Sequence, residues 1–189
     1  MEKAHVRIVA GRLRGRKLTV VVHPGLRPTP QMVREALFSI LGNAVPDRPF
    51  IDVFAGSGVV GLEALSRGAS SATFVERDHR LGDAIGRSAA AFGVADASRV
   101  IHQDVYRWAE RWSPPAEPVN VFLSPPFPDL ENRAADFHAL VAELQAKLPS
   151  ESVLVLQVED AWDASNLPDA ARWERRQYGR NVLLFWEPA

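Results

Sequence analysis

The sequence predicts a doubly wound α/β fold: a mostly parallel seven-stranded sheet with an antiparallel closing strand and helices on both faces. Three observations support this prediction. From residue 49 onward, short apolar runs alternate with helix-like segments, a glycine-rich turn follows the first run, and the chain ends in a hairpin pattern. Because parallel strands need helical crossovers, the alternation indicates a series of βαβ units.

The first 29 residues are predicted to form a small basic hairpin extension to a domain at residues 30–189. HVRIVAG alternates in polarity, GRLRGRKL supplies glycines and charge for a turn, and KLTVVV is typical of a returning strand. RPTP then interrupts the chain, so Thr29 is expected to cap a helix over residues 30–42, with Pro30 at its first position. Arg34 falls beside the apolar stripe of this helix.

The remaining strands and helices follow in alternation. Five strands are predicted at PFIDVF, SATFVE, RVIHQ, VNVFL and SVLVLQVE. Helices are predicted between them at GLEALSRG, at residues 79–92, at residues 105–112, and from a cap at Asp129 to about Lys147. RWERRQYG and NVLLFWE are typical of a closing hairpin, which brings the sheet to seven strands.

The composition is that of a soluble protein of one ordinary domain. The chain has 189 residues, of which 47% are hydrophobic and 24% charged, and it contains no apolar run long enough to cross a membrane. It has no cysteine, which excludes disulfides and thiolate metal sites and fits a location in the reducing cytoplasm. Its histidines lack metal-ligand spacing, so no metal is expected.

The charge is distributed unevenly along the chain. Residues 1–34 contain eight lysines or arginines and one acid, a net charge of +7, which leaves −8 on the rest. A basic segment on an acidic body suggests a polyanionic partner such as a nucleic acid. The alternative is a basic hairpin that is simply solvated.

A glycine-rich loop follows the first strand of the body. In IDVFAGSGVVGLEAL, Gly56, Gly58 and Gly61 match the G-x-G-x-x-G pattern and precede a helix, which is the context of a nucleotide-type cofactor site. Glu76 ends the next strand, 20 residues after Gly56, where a carboxylate can accept hydrogen bonds from ribose hydroxyls. Spacing alone also fits a dinucleotide, or a tight turn that binds no ligand.

Two details favour S-adenosylmethionine over a dinucleotide. Asp52 lies on the strand just before the loop, where a carboxylate would repel a pyrophosphate but suit the cationic methionyl end of S-adenosylmethionine. The loop also carries no lysine or arginine for phosphates. Asp104, after the third strand of the body, could read an adenine amino group or cap the following helix, and the two roles are compatible.

The stretch VFLSPPFPDL predicts a stiff polar turn at the end of a strand. Pro125 favours an extended Ser124, and Pro125 and Pro126 have no N–H, so the turn is rich in acceptors. The Ser124 hydroxyl and the Pro125 carbonyl could accept hydrogen bonds from one exocyclic amino group, while Phe127 offers a face for the base to stack on. The alternative is a proline-rich turn whose phenylalanine packs internally.

These residues resemble the amino-methyltransferases that carry an [Asp/Asn/Ser]-Pro-Pro-[Tyr/Phe/Trp] motif. More narrowly, the chain is similar to the RsmD family of ribosomal RNA guanine-N2 methyltransferases over nearly its whole length. The segments that carry this similarity, in order, are RIVAGRLRGRKL, RPTPQMVREALFSIL, DVFAGSGVVGLEALSRGA, FVERD and YGRNVLLFWE. The resemblance implies a Rossmann-like methyltransferase fold and methylation of one guanine N2 amino group in 16S ribosomal RNA.

The resemblance also assigns roles to individual residues. S-adenosylmethionine would be bound by Asp52, Ala55, Gly56, Gly58, Glu76, Arg77, Asp104 and Val105. The amino-group site would consist of Ser124, Pro125, Pro126 and Phe127. RNA phosphates would be contacted by Arg7, Arg12, Arg14, Arg16, Lys17 and Arg27, and Arg27 and Thr29 would border the pocket. The implied partner is a small ribosomal subunit or its assembly intermediate, met by a monomer.

Ser124 departs from the family pattern, which usually has Asp or Asn at this position. A hydroxyl is a shorter, neutral acceptor, so it cannot stabilise positive charge on the nitrogen as a carboxylate does. This leaves two alternatives open: an amino-methyltransferase acting on another RNA or DNA base, or a ribosome-assembly factor that binds but scarcely methylates. A DNA enzyme would need a target-recognition domain, for which 189 residues leave no room.

Overall fold

The computed structural model describes residues 2–22 and 28–189. The strands are β1 Glu2–Arg7, β2 Lys17–Val22, β3 Pro49–Val53, β4 Ser71–Glu76, β5 Ser98–His102, β6 Asn120–Leu123, β7 Val153–Glu159, β8 Glu174–Tyr178 and β9 Asn181–Trp186. The α-helices are α1 Gln31–Leu41, α2 Val59–Ser66, α3 His79–Ala91, α4 Val105–Arg111, α5 Phe127–Asn132 and α6 Ala134–Lys147. Within these described ranges, no helix is both long and apolar enough to span a membrane.

The body of the protein is one seven-stranded sheet with the order β5-β4-β3-β6-β7-β9-β8. Neighbouring strands from β5 to β7 are parallel, and β9 alone runs antiparallel to both of its neighbours. The strand order reverses between β3 and β6, which is the position where open α/β sheets bind ligands. The predicted fold class is therefore confirmed, including the antiparallel strand contributed by the closing hairpin.

Two apolar layers cover the sheet, because successive side chains of each strand point to opposite faces. Phe50 and Phe74 belong to the layer with α1, α2 and α3. Their neighbours Ile51 and Val75 belong to the layer with α4, α5 and α6. Both faces of the central strands are thus buried, which explains why these strands are almost continuously apolar in sequence.

The basic hairpin is packed against the body instead of projecting from it. Strands β1 and β2 pair with each other only, but Ile8 and Leu13 of the connecting segment are buried in the same apolar layer as α1 and α2. Gly11 approaches the end of α2 so closely that an added Cβ would overlap the Ser66 carbonyl oxygen. The Arg12 N–H donates to that same carbonyl at 2.8 Å.

A buried arginine joins α1 to the segments on either side of the hairpin. Arg34 is only 1% exposed, and its guanidinium donates to the carbonyl oxygens of Thr29 at 2.6 Å and Arg7 at 2.7 Å. Its Nε lies 3.7 Å from Oε2 of the fully buried Glu63 on α2. Burial lowers the pKa of Arg34, and the Glu63 carboxylate partly offsets this effect. The sequence-based placement of Arg34 beside the apolar stripe was therefore wrong: this side chain faces the interior.

Glu63 connects the same cluster to the loop that follows β1. Its carboxylate accepts hydrogen bonds from the Val9 N–H at 2.9 Å and from the Ala10 N–H at 3.0 Å, and it pairs with Arg67 at 3.1 Å. A buried charge requires such compensation, since an unpaired carboxylate inside a protein is strongly unfavourable. One glutamate thus holds the hairpin loop, α1 and α2 together.

The start of α1 differs from the sequence-based prediction. Pro30 occupies the capping position and provides no side-chain hydrogen bond, so Thr29 is not the N-cap. The Thr29 hydroxyl instead donates to Oε1 of Gln157 on β7 at 2.9 Å. A tertiary contact across 128 residues of sequence therefore replaces the expected local one.

The predicted helix from Asp129 to Lys147 is two helices, α5 and α6, which meet at Arg133 with a φ of −129°. Asp129 lies inside α5 and does not cap a helix; its side chain is buried and accepts a hydrogen bond from Tyr106. The prediction failed because Pro126 already begins the first turn, so the helical register starts three residues earlier.

Replacing Glu63 with Gln is expected to lower the free energy of unfolding by about 3–5 kcal/mol, because Arg34 would remain buried without its counter-charge. Urea denaturation measures this change. Glu151→Gln is the matched control, since Glu151 forms an ion pair with Arg48 at the surface and should contribute less than about 1 kcal/mol. Similar losses in the two variants would contradict the structural role assigned to Glu63.

Candidate functional site

A cleft of about 930 Å³ opens at the carboxyl ends of the parallel strands. Its walls come from the loops after β3, β4, β5 and β6, from the end of β7, and from the start of β9. The cleft lies at the reversal of strand order, where the loops on the two sides diverge and leave room for a ligand. The residues predicted to bind the cofactor and the target amino group, except Gly58, therefore line one cleft.

The glycine loop is shaped by the carboxylate of Glu76. The Gly56 N–H donates to Oε2 of Glu76 at 2.8 Å, and the Asp78 N–H donates to Oε1 at 2.9 Å. Phe54 adopts a left-handed conformation with a φ of 61°, which is unfavourable for a bulky residue and recurs at binding sites. Glu76 therefore organises the loop and still lines the cleft with its remaining acceptor capacity.

Asp52 is a buried carboxylate at the base of the cleft. It is 2% exposed, and its Oδ2 accepts one hydrogen bond, from the Gly61 N–H at 3.0 Å. Burial raises the pKa of Asp52 to about 8, and the nearby Glu76 charge adds to the increase. Among residues 2–22 and 28–189, no basic side chain forms an ion pair with Asp52. A cationic group in the cleft would supply the missing partner.

Two of the loop glycines are required by packing. A Cβ on Gly58 would lie 2.7 Å from the Ile85 side chain, and a Cβ on Gly61 would overlap the Phe74 ring. These positions bring α2 close to α3 and β4, which fixes the direction of the loop above Asp52. Gly56 and Ala55, in contrast, line the cleft, where a small residue lets the backbone approach a ligand closely.

Asp104 is the N-cap of α4, which confirms one of its two predicted roles. Its Oδ1 accepts hydrogen bonds from the backbone N–H groups of Tyr106 at 3.1 Å and Arg107 at 3.4 Å. Its other oxygen, Oδ2, lies 3.6 Å from Arg133 and borders the cleft. Val105, the next residue, is buried in the cleft wall, and Arg77 lies exposed at its rim after β4.

The Ser124–Phe127 turn leaves the end of β6 and enters α5 directly. The Ser124 N–H makes a long hydrogen bond of 3.4 Å to the Val53 carbonyl of β3, which keeps the turn beside the glycine loop. Pro126 precedes the first residue of α5, so the stiff segment is short and well defined. Phe127 is 47% exposed at the cleft, so its ring is available to a ligand instead of packing internally.

Sequence analysis missed a pair of polar side chains beside this turn. The Tyr106 hydroxyl donates to Oδ2 of the buried Asp129 at 2.8 Å, and both residues line the cleft. Burial and the Asp129 hydrogen bond raise the pKa of Tyr106. The Arg133 guanidinium lies over the Tyr106 ring at 3.8 Å and holds it in place. The hydrogen bond between Tyr106 and Asp129 joins α4 to α5 across 23 residues, so no local sequence pattern predicts it.

A second set of missed residues lies on the opposite wall. Gln157 and Asn181 line the cleft from β7 and β9, together with Thr29. Gln157 is a polar residue that interrupts the apolar run VLVLQV of β7, and this interruption is the one sequence signal that could have identified it. Asn181 opens β9, and only the antiparallel pairing of β9 with β7 brings it to the cleft.

The predicted RNA-contacting residues are grouped on the basic hairpin, apart from the cleft. The side chains of Arg7, Arg12, Arg14, Arg16 and Lys17 are all exposed. No carboxylate in the described part of the chain lies within ion-pair distance of any of them. Arg27, the sixth predicted residue, lies outside the described residues.

Residues 6–187 match the protein family described as "Conserved hypothetical protein 95". The matched region contains all the described cleft residues and most of the basic hairpin.

The chain is also similar to Ribosomal RNA small subunit methyltransferase D of Escherichia coli K12, with 41% identity over 122 residues. The aligned stretch covers 65% of this chain and 60% of that relative, so the chain spans less than two thirds of the relative's length.

Two solved structures share the fold. A hypothetical protein of Thermus thermophilus superposes with a TM-score of 0.78 at 34% identity, covering 96% of this chain and 99% of that one. RsmC, a 16S rRNA N2 methyltransferase of Thermus thermophilus solved with AdoMet and guanosine, superposes with a TM-score of 0.73 at 18% identity, covering 100% of this chain and 50% of that one. At that identity, RsmC is evidence for the fold alone. The family model matches nearly the whole chain, and the Thermus thermophilus structure is 34% identical over 99% of its length. This chain therefore belongs to the Conserved hypothetical protein 95 family, which is the RsmD family indicated by its motifs.

Proposed function

We propose that this protein transfers a methyl group from S-adenosylmethionine to the exocyclic N2 amino group of a guanine in small-subunit ribosomal RNA. One observation carries the proposal: the glycine loop with Asp52 and the Ser124–Phe127 turn face the same cleft. A cofactor site and an amino-group site on adjacent walls are what a methyl transfer between them requires.

The cofactor half of the cleft suits a cationic nucleoside. Asp52 is buried with a raised pKa and no basic partner among the described side chains, so a positively charged ligand would stabilise its ionised form. Glu76 and Asp104 line the neighbouring wall, where carboxylates can accept hydrogen bonds from ribose hydroxyls and an adenine amino group. When bound there, S-adenosylmethionine supplies an electrophilic methyl group on a sulfonium.

The other half suits an exocyclic amino group. The lone pair of such a nitrogen is delocalised into the ring, so it is a poor nucleophile until its geometry changes. The Ser124 hydroxyl and the Pro125 carbonyl are two acceptors that would hold the two N–H bonds and favour a tetrahedral nitrogen. The exposed Phe127 ring gives the base a stacking surface, worth about 1–3 kcal/mol. A paired base would have to be flipped out to reach it.

The basic hairpin provides the contact with RNA. Its exposed cations have no carboxylate partner in the described structure, so they are free to neutralise phosphates. Glu63 and Arg34 hold the hairpin on the body, which keeps these charges at a fixed position relative to the cleft. Arg12, Arg14 and their neighbours would orient the RNA, while the cleft selects the base.

The named relative supports this substrate. The similar Escherichia coli protein is named a ribosomal RNA small subunit methyltransferase. We therefore propose the small ribosomal subunit or its assembly intermediate as the partner, with the protein acting as a monomer in the cytoplasm.

Ser124 favours one second candidate, a ribosome-assembly factor that binds the particle with little turnover. Ser124 lines the cleft, and because its hydroxyl is uncharged it would serve as a neutral acceptor. Ser124→Asp separates the two functions. A steep rise in methylation would identify the natural protein as a binding factor, whereas a fall would identify serine as the residue matched to this site.

Purified protein incubated with methyl-labelled S-adenosylmethionine and unmodified small ribosomal subunits is expected to label N2-methylguanosine, detected after digestion of the RNA to nucleosides. Replacing Phe127 with Ala should reduce kcat/KM by about tenfold or more, because the stacking surface is lost. Label in a different nucleoside would overturn the guanine assignment. An absence of label with cofactor binding intact would support the binding factor.

The affinity for S-adenosylmethionine is expected to increase from pH 6 to pH 8. Asp52 has a pKa of about 8 in the free protein, so it is largely protonated at pH 6 and must lose its proton to pair with the cationic ligand. Binding should therefore release a proton below pH 8, measurable by calorimetry in buffers of different ionisation enthalpy. Asp52→Asn should bind more weakly, with no such pH dependence. Equal proton release by the wild type and Asp52→Asn would exclude Asp52 from the site.

Changing both Arg12 and Arg14 to Glu is expected to weaken RNA binding and to reduce the salt slope, d log K/d log[salt], by about 1–2 units, because two phosphate contacts are lost. Filter binding at several salt concentrations measures the slope. The control changes the exposed Arg87 and Arg99 to Glu, which alters net charge equally on α3 and β5. Indistinguishable slopes for the two double variants would reject the hairpin as the RNA contact.

A further inference from the structure

The strand order divides the cleft into two halves with different neighbours. Strands β3, β4 and β5, on one side of the reversal, carry the glycine loop, Glu76 and Asp104 at their ends. Strands β6, β7 and β9 follow on the other side, and Ser124 directly follows β6. Gln157 of β7 and Asn181 of β9 line the cleft beyond Ser124, on the side away from the cofactor loop.

Three side chains on this wall form a directed chain of hydrogen bonds. The Thr29 hydroxyl donates to Gln157 Oε1 at 2.9 Å, and Gln157 Nε2 donates to Asn181 Oδ1 at 3.1 Å. In this arrangement Gln157 presents its nitrogen, and Asn181 its oxygen, to the contact between the two amides. The Asn181 Nδ2 group ends the chain and meets no acceptor among residues 2–22 and 28–189, so its two N–H bonds remain available to a ligand.

Holding the strands together does not require this chain. Strands β7 and β9 are already paired along six residue positions, from Leu154 with Trp186 to Glu159 with Asn181. The wall on the cofactor side carries three carboxylates, those of Asp52, Glu76 and Asp104, with Arg77 at its rim. Asn181 therefore contributes an available donor to this cleft, and one strand, β7, separates β9, which carries Asn181, from β6, which leads into Ser124.

We propose that Asn181 is the residue that selects guanine, by donating a hydrogen bond to the O6 carbonyl of the target base, and that Gln157 and Thr29 are positioning residues that hold its amide. This inference rests on the proposed function. In guanine, N2 and O6 flank N1 on one edge, so a base with N2 at Ser124 can present O6 to an adjacent wall. Adenine carries an amino donor where guanine carries O6, and it would leave the Asn181 donor unpaired.

The test uses 2-aminopurine, which keeps the reactive amino group of guanine but lacks O6. Small subunits are assembled from ribosomal RNA with guanine or 2-aminopurine at the modified position, and kcat/KM is measured for both. The wild type should prefer guanine by about tenfold or more, because the analogue leaves a donor unpaired. Asn181→Ala should lower methylation of guanine and bring the preference to about twofold or less, with the dissociation constant for S-adenosylmethionine unchanged.

Gln157→Glu tests the positioning role with almost no change in shape. The new carboxylate still accepts from Thr29 but can no longer donate to Asn181 Oδ1, so the Asn181 amide should rotate and present its oxygen to the base. The preference for guanine should fall as in Asn181→Ala, while the melting temperature stays close to that of the wild type. Gln145→Glu is the control, since Gln145 also loses an amide hydrogen bond, to Pro168, but lies outside the cleft.

The outcomes separate this inference from the function on which it rests. Equal use of guanine and 2-aminopurine by the wild type would overturn the role of Asn181 and leave the methyltransferase assignment intact. Loss of preference in Gln145→Glu as well, or loss only in variants that melt early, would also overturn it. If the wild type methylates neither base, the proposed function itself fails.

Discussion

The buried contact between Arg34 and Glu63 is the interaction on which the rest of the arrangement depends. Glu63 lies on α2, whose first turn supplies the Gly61 N–H to Asp52, and its carboxylate also binds the backbone of the hairpin loop. Arg34 completes the cluster through the carbonyls of Arg7 and Thr29. A buried ion pair contributes less to net stability than to a unique arrangement, since desolvation offsets most of its attraction. Here the arrangement holds the basic hairpin at a defined position relative to the cleft.

Two carboxylates at the cleft illustrate how the same chemical group acquires different properties. Glu76 accepts hydrogen bonds from two backbone N–H groups, whereas Asp52 accepts one and is almost completely buried. The pKa of Asp52 therefore rises to about 8, and its charge depends on what occupies the cleft. Glu76 shapes the loop through its hydrogen bonds, and Asp52 is the residue that would respond to a cation. The site thus combines a structural carboxylate with a ligand-sensitive one.

The reversal of strand order explains why the two sides of the cleft carry different kinds of polar groups. On one side, acceptors at the ends of β3, β4 and β5 suit a cationic nucleoside; on the other, the stiff Ser124–Phe127 turn and the amide of Asn181 suit the edge of a base. Ser124 is neutral, so the structure gives the amino-group site hydrogen-bond acceptors without an added charge. Asp129 lies near it, but its Oδ2 is engaged by Tyr106. Under the proposed function, recognition of the base would therefore depend on directed hydrogen bonds more than on electrostatic attraction.

The sequence by itself determined the fold class, the order of the strands and the loops at the cleft, because these follow from apolar periodicity and from glycine and proline positions that restrict the backbone locally. Gly56, Glu76 and Ser124 were found this way, since each lies at the end of a strand or within three residues of it. Only the tertiary structure decided what lies opposite them. Thr29 was expected to cap a helix and instead binds Gln157. Asp129 was expected to cap a helix and instead binds Tyr106. Arg34 was expected beside an apolar stripe and instead pairs with Glu63 in the interior. Each of these contacts joins residues at least 23 positions apart, and a polar group's partner at that distance depends on the packing of whole elements, which no local pattern encodes.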